Sequence, residues 1–246
     1  MARDEKQAER QGADIPEPPW RGAPRRPAAA RPALSREAIV QATLRLLDRE
    51  GLDAISMRRV AEELGTAAAS LYWHVGGKQE LLRLAFDRVV AEIELPEPDP
   101  SRWQEQIKYM ARECRRVLTS HRDIARAALE VGIPAEPNAL TGAEWLLEVL
   151  RGAGISDRVR AHAAYLFFLF VNAFALDESL ELPSPGGEPV PPEEALSQFR
   201  EYFASLPPDR FPNTVALAGH MMDPDMDARF ELGLEMLVTG LAGLSS

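Results

Sequence analysis

The 246-residue chain predicts an all-α protein, on three observations. Apolar residues recur at three- and four-residue spacings through most of the chain, strand-like alternation is absent, and the periodic segments open on capping residues and stop at glycine or proline. At 46% hydrophobic residues the chain is large enough for one large or two smaller domains with real cores. The net charge of -10 argues against a nonspecific nucleic-acid coat, because phosphate binding rests on Lys and Arg. That excess is uneven: residues 1–34 carry +2, residues 35–95 carry -2 and residues 96–246 carry -10, so most of the acid lies in the C-terminal part.

Residues 1–33, rich in Pro, Ala and Arg, read as a disordered tail. Its acid-free basic stretch, Arg21, Arg25, Arg26 and Arg31, is either a solvated tail or an arm for a DNA minor groove. Ser35 caps a first helix, with Glu37 favourably placed in its first turn. The apolar face from Ile39 and Val40 to Leu46 and Leu47 ends at Gly51. Ser56 then caps a short helix whose stripe is Met57, Val60, Ala61 and Leu64, and Gly65 breaks it. A further helix from Ala68 to His74 turns Leu71 and Val75 inward.

Two short helices joined at a glycine outline a helix-turn-helix, whose second helix lies in the major groove. Many all-α proteins share that outline, so the aromatic triplet carries more weight. Neighbouring helix positions lie about 100° apart, so Tyr72, Trp73 and His74 cannot all face one core. At least one is exposed, and an exposed aromatic with a polar tip calls for a partner surface. In this arrangement Val60, Leu64, Leu71 and Val75 hold the pair together. Arg58, Ser70, Tyr72, Trp73, His74 and Lys78 face outward.

A fourth helix from Lys78 to about Glu94, with Leu82, Ala85, Phe86, Val89 and Ile93 at helical spacing, leads into the break LPEPDP. The break divides a helix-turn-helix domain, residues 34–95, from a C-terminal domain, residues 96–246. The fourth helix then couples the two. Ser101 and Gln104 form a capping box opening a helix through Trp103, Ile107, Met110, Cys114, Val117 and Leu118, with His121 at its end. Further helices fall near residues 122–131, 138–151, 156–181, 193–206, 212–222 and 225–244, and the proline-rich stretch 183–192 reads as a surface loop.

Two of these helices are apolar nearly all round: Val159, Ala163, Leu166, Phe167, Phe170, Val171, Phe174 and Leu176 in one, Phe230, Leu232, Leu234, Leu237, Val238 and Leu241 in the last. Either they form a simple core or they pair with their copies in a four-helix interface. The apolar run 163–176, interrupted by Asn172, falls short of the ~17–25 residues that span a bilayer. Membrane insertion is not expected. The single Cys114 excludes an intramolecular disulfide and suits a reducing cytoplasm. It reads as a small apolar residue rather than a redox centre.

LYWHV at 71–75, followed by Gly76, Gly77 and Lys78 and preceded by MRRVAEELG, resembles the tetracycline-repressor (TetR) family. Weaker similarity continues to Phe230–Glu235. The resemblance implies a cytoplasmic, homodimeric transcriptional repressor without enzymatic activity, released from a palindromic DNA operator by a small-molecule effector. Operator contacts carried over by the resemblance are Ser56, Arg58, Ala68, Ala69, Ser70, Tyr72, Trp73, His74 and Lys78. Arg58 suits a bidentate guanine contact, and Tyr72, His74 and Lys78 suit phosphates; Ser56 is equally a helix cap. Ala68 and Ala69 stand where tetracycline repressor has larger or hydrogen-bonding residues, so a different operator is implied.

For the effector, the resemblance puts Glu94 at the place of a drug-contacting histidine and His121 at that of a metal-binding one. Asp177 falls where a carboxylate assists that ion. No cofactor is required, and a divalent metal would enter only with the ligand. Otherwise His121 is a helix C-cap. Phe86, Trp145, Phe167 and Phe174 suit a hydrophobic or aromatic effector. The alternative reading is a helical ligand-binding or interaction module without operator binding. An enzyme finds little support, since no phosphate loop, HExxH or nucleophile elbow is present.

Overall fold

The computed structural model describes residues 34–132, 135–180 and 190–244, so the tail 1–33 and most of the loop expected at 183–192 lie outside the described residues. Eleven α-helices make up the described part: α1 Arg36–Glu50, α2 Met57–Leu64, α3 Ala68–Leu71, α4 Lys78–Val90, α5 Trp103–Thr119, α6 Ile124–Val131, α7 Pro137–Gly152, α8 Asp157–Ser179, α9 Pro192–Ala204, α10 Pro212–Met221 and α11 Met226–Ala242. No strand occurs among the described residues.

The N-terminal helices start and stop where local chemistry requires. Ser35 Oγ accepts the Ala38 N–H at 3.1 Å and Ser56 Oγ accepts the Arg59 N–H at 3.1 Å, each satisfying an orphan donor of a first turn. At the far end of α2, Gly65 takes the left-handed conformation (φ 63°) that a side chain resists. Ile39, Leu46, Leu47, Val60, Leu71, Leu81 and Leu82 are fully buried between α1, α2, α3 and α4. At about 1.5–3 kcal/mol per large apolar side chain, this cluster outweighs any helix propensity in so short a set of helices. Leu64, expected inward, is only half-buried.

Three boundaries differ from the sequence reading. Regular helix in α3 stops at Leu71 rather than His74, because the His74 and Val75 N–H groups both return to the Leu71 carbonyl. Helix α4 ends at Val90, short of Glu94. The N–H groups of Glu92 and Ile93 turn back three residues, to Val89 and Val90, before the prolines take over. The capping box at Ser101 and Gln104 does not form. Asp99 accepts from both the N–H and the hydroxyl of Ser101 (2.9 and 2.7 Å), capping a 3₁₀ turn at Pro100–Arg102, and α5 follows from Trp103.

The strap between α4 and α5 is held in place by side chains. Gln106 receives the Asp99 N–H at 2.8 Å and donates to the Glu97 carbonyl at 2.6 Å, while Trp145 Nε1 donates to the Pro96 carbonyl at 2.5 Å. Helix α4 packs on α1 at one side and on α5, α6 and α7 at the other. The body is built from α5 to α8, with α11 laid along α5 and α8, and with α9 and α10 packed on one another. A ladder of ion pairs, Lys108–Glu235, Arg112–Glu231 and Arg115–Asp227, ties α5 to α11.

Helix α8 is longer than the apolar run read in the sequence, because polar residues extend it at both ends. By length and composition alone its most apolar 18-residue window could cross a membrane, with a mean hydropathy of 1.5. In the fold one side of it meets α5, α6 and α7, while Tyr165 and Leu166 are exposed. Helix α11 likewise buries Phe230, Leu234 and Val238 and exposes Leu232 and Met236. Neither helix is consumed by the core of one chain.

Candidate nucleic-acid interface and effector cavity

The turn of α3 sorts its neighbours by face. Leu71 and Val75 are buried in the head, whereas Tyr72 is 57% and Trp73 89% exposed. An indole left this far in water has no packing role within the chain. Ala69 is exposed, and Ala68, Ser70 and His74 are half-exposed beside the aromatics. The two arginines of α2 part company. The Arg58 side chain is 87% exposed, held only by Glu62 at 2.9 Å, and is free to exchange that partner. Arg59 turns back to Glu50 at 2.6 and 2.9 Å, and with Arg49 it holds the Glu50 carboxyl at about 2, below its ordinary 4.5. Ser56 is engaged as the cap of α2.

Lys78 opens α4, with Nζ 3.5 Å from the Leu52 carbonyl. The glycine turn before it is fixed by Glu80, which accepts the Gly76 N–H at 2.7 Å and also pairs with Arg36. These two contacts, the backbone hydrogen bond first, lower the Glu80 pKa. Arg58 near the start of α2, Ser70, Tyr72, Trp73 and His74 in and after α3, and Lys78 at the start of α4 thus all reach solvent, on a frame of internally paired charges.

A cavity of about 400 Å³ lies under α4, walled by Phe86 and Val90 of α4, Met110, Cys114 and Leu118 of α5, Asn138, Ala139, Thr141 and Leu146 of α7, and Ala164, Tyr165, Phe167, Phe168, Val171 and Asn172 of α8. Among the described residues no ionisable acid or base other than Cys114 and Tyr165 lines it, and desolvation pushes the Cys114 thiol up to about 12. Of the four expected aromatics, Phe86 and Phe167 reach this wall. Trp145 is spent on the strap, and Phe174 meets Phe170 at a tilt and Phe230 edge-on and does not line the cavity. Glu94 is exposed beyond the end of α4 and does not line the cavity.

His121 and Asp177 are not brought together as a metal pair. His121 lines a separate pocket of about 150 Å³ with Asp123 and Glu178, whereas Asp177 is exposed and is not part of its wall. The nearest carboxylates face opposite ring nitrogens: Asp48 at 3.5 Å from Nδ1 and Glu92 at 3.8 Å from Nε2. Among the described residues no group of three or more His, Cys, Asp or Glu could hold a metal ion. The helix-cap reading of His121 also gives way, because Ser120 caps α5.

Asp87, absent from the sequence reading, joins the two regions. It is 7% exposed on the inner side of α4 and accepts the Asn138 N–H at 2.9 Å, the Ala139 N–H at 2.9 Å and Asn138 Nδ2 at 2.8 Å. A carboxylate at a helix N-terminus satisfies orphan donors and meets the positive end of the dipole. Its acceptors are filled by the two residues of α7 that also line the cavity. The signal in the sequence is an acid set among the inward positions Ala85, Phe86 and Val89. A second link ties the 3₁₀ turn Leu52–Ala54, which follows α1, to α6: Asp123 (φ 57°) accepts the Leu52 N–H at 2.8 Å, and Arg126 pairs with Asp53 at 2.9 Å.

A helix-turn-helix with exposed Tyr72, Trp73 and Arg58, joined through one helix to an apolar cavity of ligand size, defines a one-component DNA-binding regulator. Family models bear this out: "Bacterial regulatory proteins, tetR family" matches residues 39–85, and "Tetracyclin repressor-like, C-terminal domain" matches residues 95–244. An HTH-type transcriptional regulator of Saccharopolyspora erythraea is 32% identical over 210 residues, covering 84% of each chain. The HTH-type transcriptional repressor DrrR1 of Streptomyces coeruleorubidus is 31% identical over 207 residues, 83% of this chain and 76% of that one. Among solved structures, the TetR family protein ActR of Streptomyces coelicolor, in complex with actinorhodin, superposes with a TM-score of 0.78 at 45% identity, over 87% of this chain and 99% of that chain. The chain belongs to the TetR family, and it is a DNA-binding transcriptional regulator.

Proposed function

We propose that the chain acts as a cytoplasmic homodimeric repressor whose head, residues 34–95, holds a palindromic operator until an effector enters the cavity of the body, residues 96–246. The observation that carries this reading is the reach of α4. It begins with Lys78 beside the exposed aromatics, places Phe86 and Val90 on the cavity wall, and holds the start of α7 through Asp87. A ligand that prefers a displaced α4 or α7 therefore also prefers a displaced head; a tenfold preference corresponds to about 1.4 kcal/mol of coupling.

On the DNA, Arg58 reads a base edge, Tyr72, His74 and Lys78 meet phosphates, and Trp73 packs against the backbone. Ser70, Ala68 and Ala69 approach the major groove, and Ser56 serves as a cap near it. The exposed faces of α8 and α11 pair with those of a second copy. ActR is seen in complex with actinorhodin, and the apolar wall of the cavity here supports an aromatic or hydrophobic effector for this chain as well. Neither catalysis nor a cofactor is assigned.

The test is selection of operator DNA from a random pool by the full chain, followed by release with candidate effectors. Trp73→Ala combined with Lys78→Ala is expected to abolish selected binding while leaving the dimer intact by sedimentation. Retained affinity and specificity in that variant would refute the site. A stable monomer at micromolar concentration would refute the dimer.

A further inference from the structure

Asn172 sits in the middle of α8, on the cavity wall, and is 3% exposed. Its Nδ2 donates to the Phe168 carbonyl at 2.8 Å, which fixes the amide orientation, and its Oδ1 is buried with no hydrogen-bond partner. A buried acceptor left unsatisfied costs about 1–3 kcal/mol. Native interiors keep such groups where something else completes them. Asn172 Oδ1 is the one unpartnered buried side-chain oxygen or nitrogen on this wall; the other such atom among the described residues, His121 Nδ1, belongs to the smaller pocket.

The neighbouring polar groups point to the same chemistry. Thr141 spends its hydroxyl proton on the Pro137 carbonyl at 2.8 Å, so its Oγ1 offers only lone pairs to the cavity. Asn138 has both its N–H and an amide hydrogen committed to Asp87. The wall's other polar side chains are the Tyr165 hydroxyl and the Cys114 thiol, and among the described residues it carries no Lys, Arg or His to receive an anion. An ionised group brought into it would be desolvated without a partner.

We infer that Asn172 is the specificity-determining anchor of the cavity, accepting a hydrogen bond from a hydroxyl of an otherwise apolar ligand whose buried part is uncharged. This rests on the cavity being the effector site. Ligand entry completes the Asn172 amide, so discrimination lies between a hydroxyl and its methyl ether, a site built for a donor rejecting the analogue that lacks it.

The experiment uses three probes of one ring system, 2-hydroxyanthraquinone, 2-methoxyanthraquinone and anthraquinone-2-carboxylate, titrated into the full chain by tryptophan fluorescence and calorimetry. The hydroxyl compound is expected to bind at least tenfold tighter than either other probe. Asn172→Leu should bring hydroxyl and methoxy affinities within about twofold of each other, with operator binding and thermal melting retained. If that variant does not fold, Asn172→Ala is read by the same ratio. Ala164→Phe, which fills the cavity, should abolish binding of all three. Equal hydroxyl and methoxy affinity in the wild type, or a ratio unchanged by substitution of Asn172, would overturn the inference while leaving the cavity as effector site. Unchanged binding to Ala164→Phe, or no binding of any probe to the wild type, would overturn both.

Discussion

Replacing Asp87 with alanine tests the link between head and body most directly. The substitution removes three hydrogen bonds from a carboxylate that is 7% exposed, at 2.8 to 2.9 Å, and strands the first N–H groups of α7. Loss of a helix cap costs about 1 kcal/mol, and a charge-assisted bond to a buried group about 1.5–3 kcal/mol. Asn138 is exposed, so water recovers part of the loss, and the net expected destabilisation is about 2–3 kcal/mol. At about 2–4 °C per kcal/mol for a chain of this size, the melting midpoint should fall by about 4–12 °C. Urea denaturation measures the energy. Operator release by effector measures the coupling, which should weaken while DNA affinity without effector stays within about threefold. Asp87→Asn, which keeps one acceptor, should fall between. A change below about 0.5 kcal/mol with an intact effector response would refute the assignment of Asp87 as the link.

Other perturbations follow from the geometry. Gly233→Ala would put a methyl 2.8 Å from Phe170 Cε2, forcing that ring off its stack on Phe230; about 1–3 kcal/mol of destabilisation is expected by denaturant melting. Glu50, held at about 2 in the fold against an ordinary 4.5, stabilises the head above pH 4.5. That contribution disappears as pH falls from 4.5 to 2, so thermal melts of Glu50→Gln should show a shallower acid loss over this window and the same slope between pH 6 and 8. With its thiol pushed up to about 12, Cys114, half-buried on the cavity wall, is about one part in ten thousand thiolate at pH 8, and Ellman's reagent should label the folded chain far more slowly than the urea-unfolded one; equal rates would contradict the raised thiol.

Much of the head was legible because short helices leave few choices. Ser35, Ser56 and Gly65 announce their roles by type and position, and the three successive residues Tyr72, Trp73 and His74 cannot share a core. The effector region was less legible. Periodicity identifies Phe86, Trp145, Phe167 and Phe174 as inward, yet whether an inward ring meets a void, a strap or another ring depends on helices distant in sequence. Glu94 and Asp177 are carried over by the family resemblance, which matches position along the chain and not facing. The early end of α4 leaves Glu94 outside, and the outward facing of Asp177 puts it in water. Asp87 was hidden by its surroundings, since an acid on an apolar stripe reveals its purpose only when its partner helix end is in view.

The strap at residues 93–99 is clamped by Gln106 and Trp145 instead of hanging free. Two heads on slack tethers would tolerate half-sites at many separations, since effective concentration falls slowly with tether length. Heads on clamped pivots tolerate few. With Ala68 and Ala69 offering little to base edges under the proposed contacts, operator selection by this chain is expected to depend more on the distance between the halves than on the letters within each.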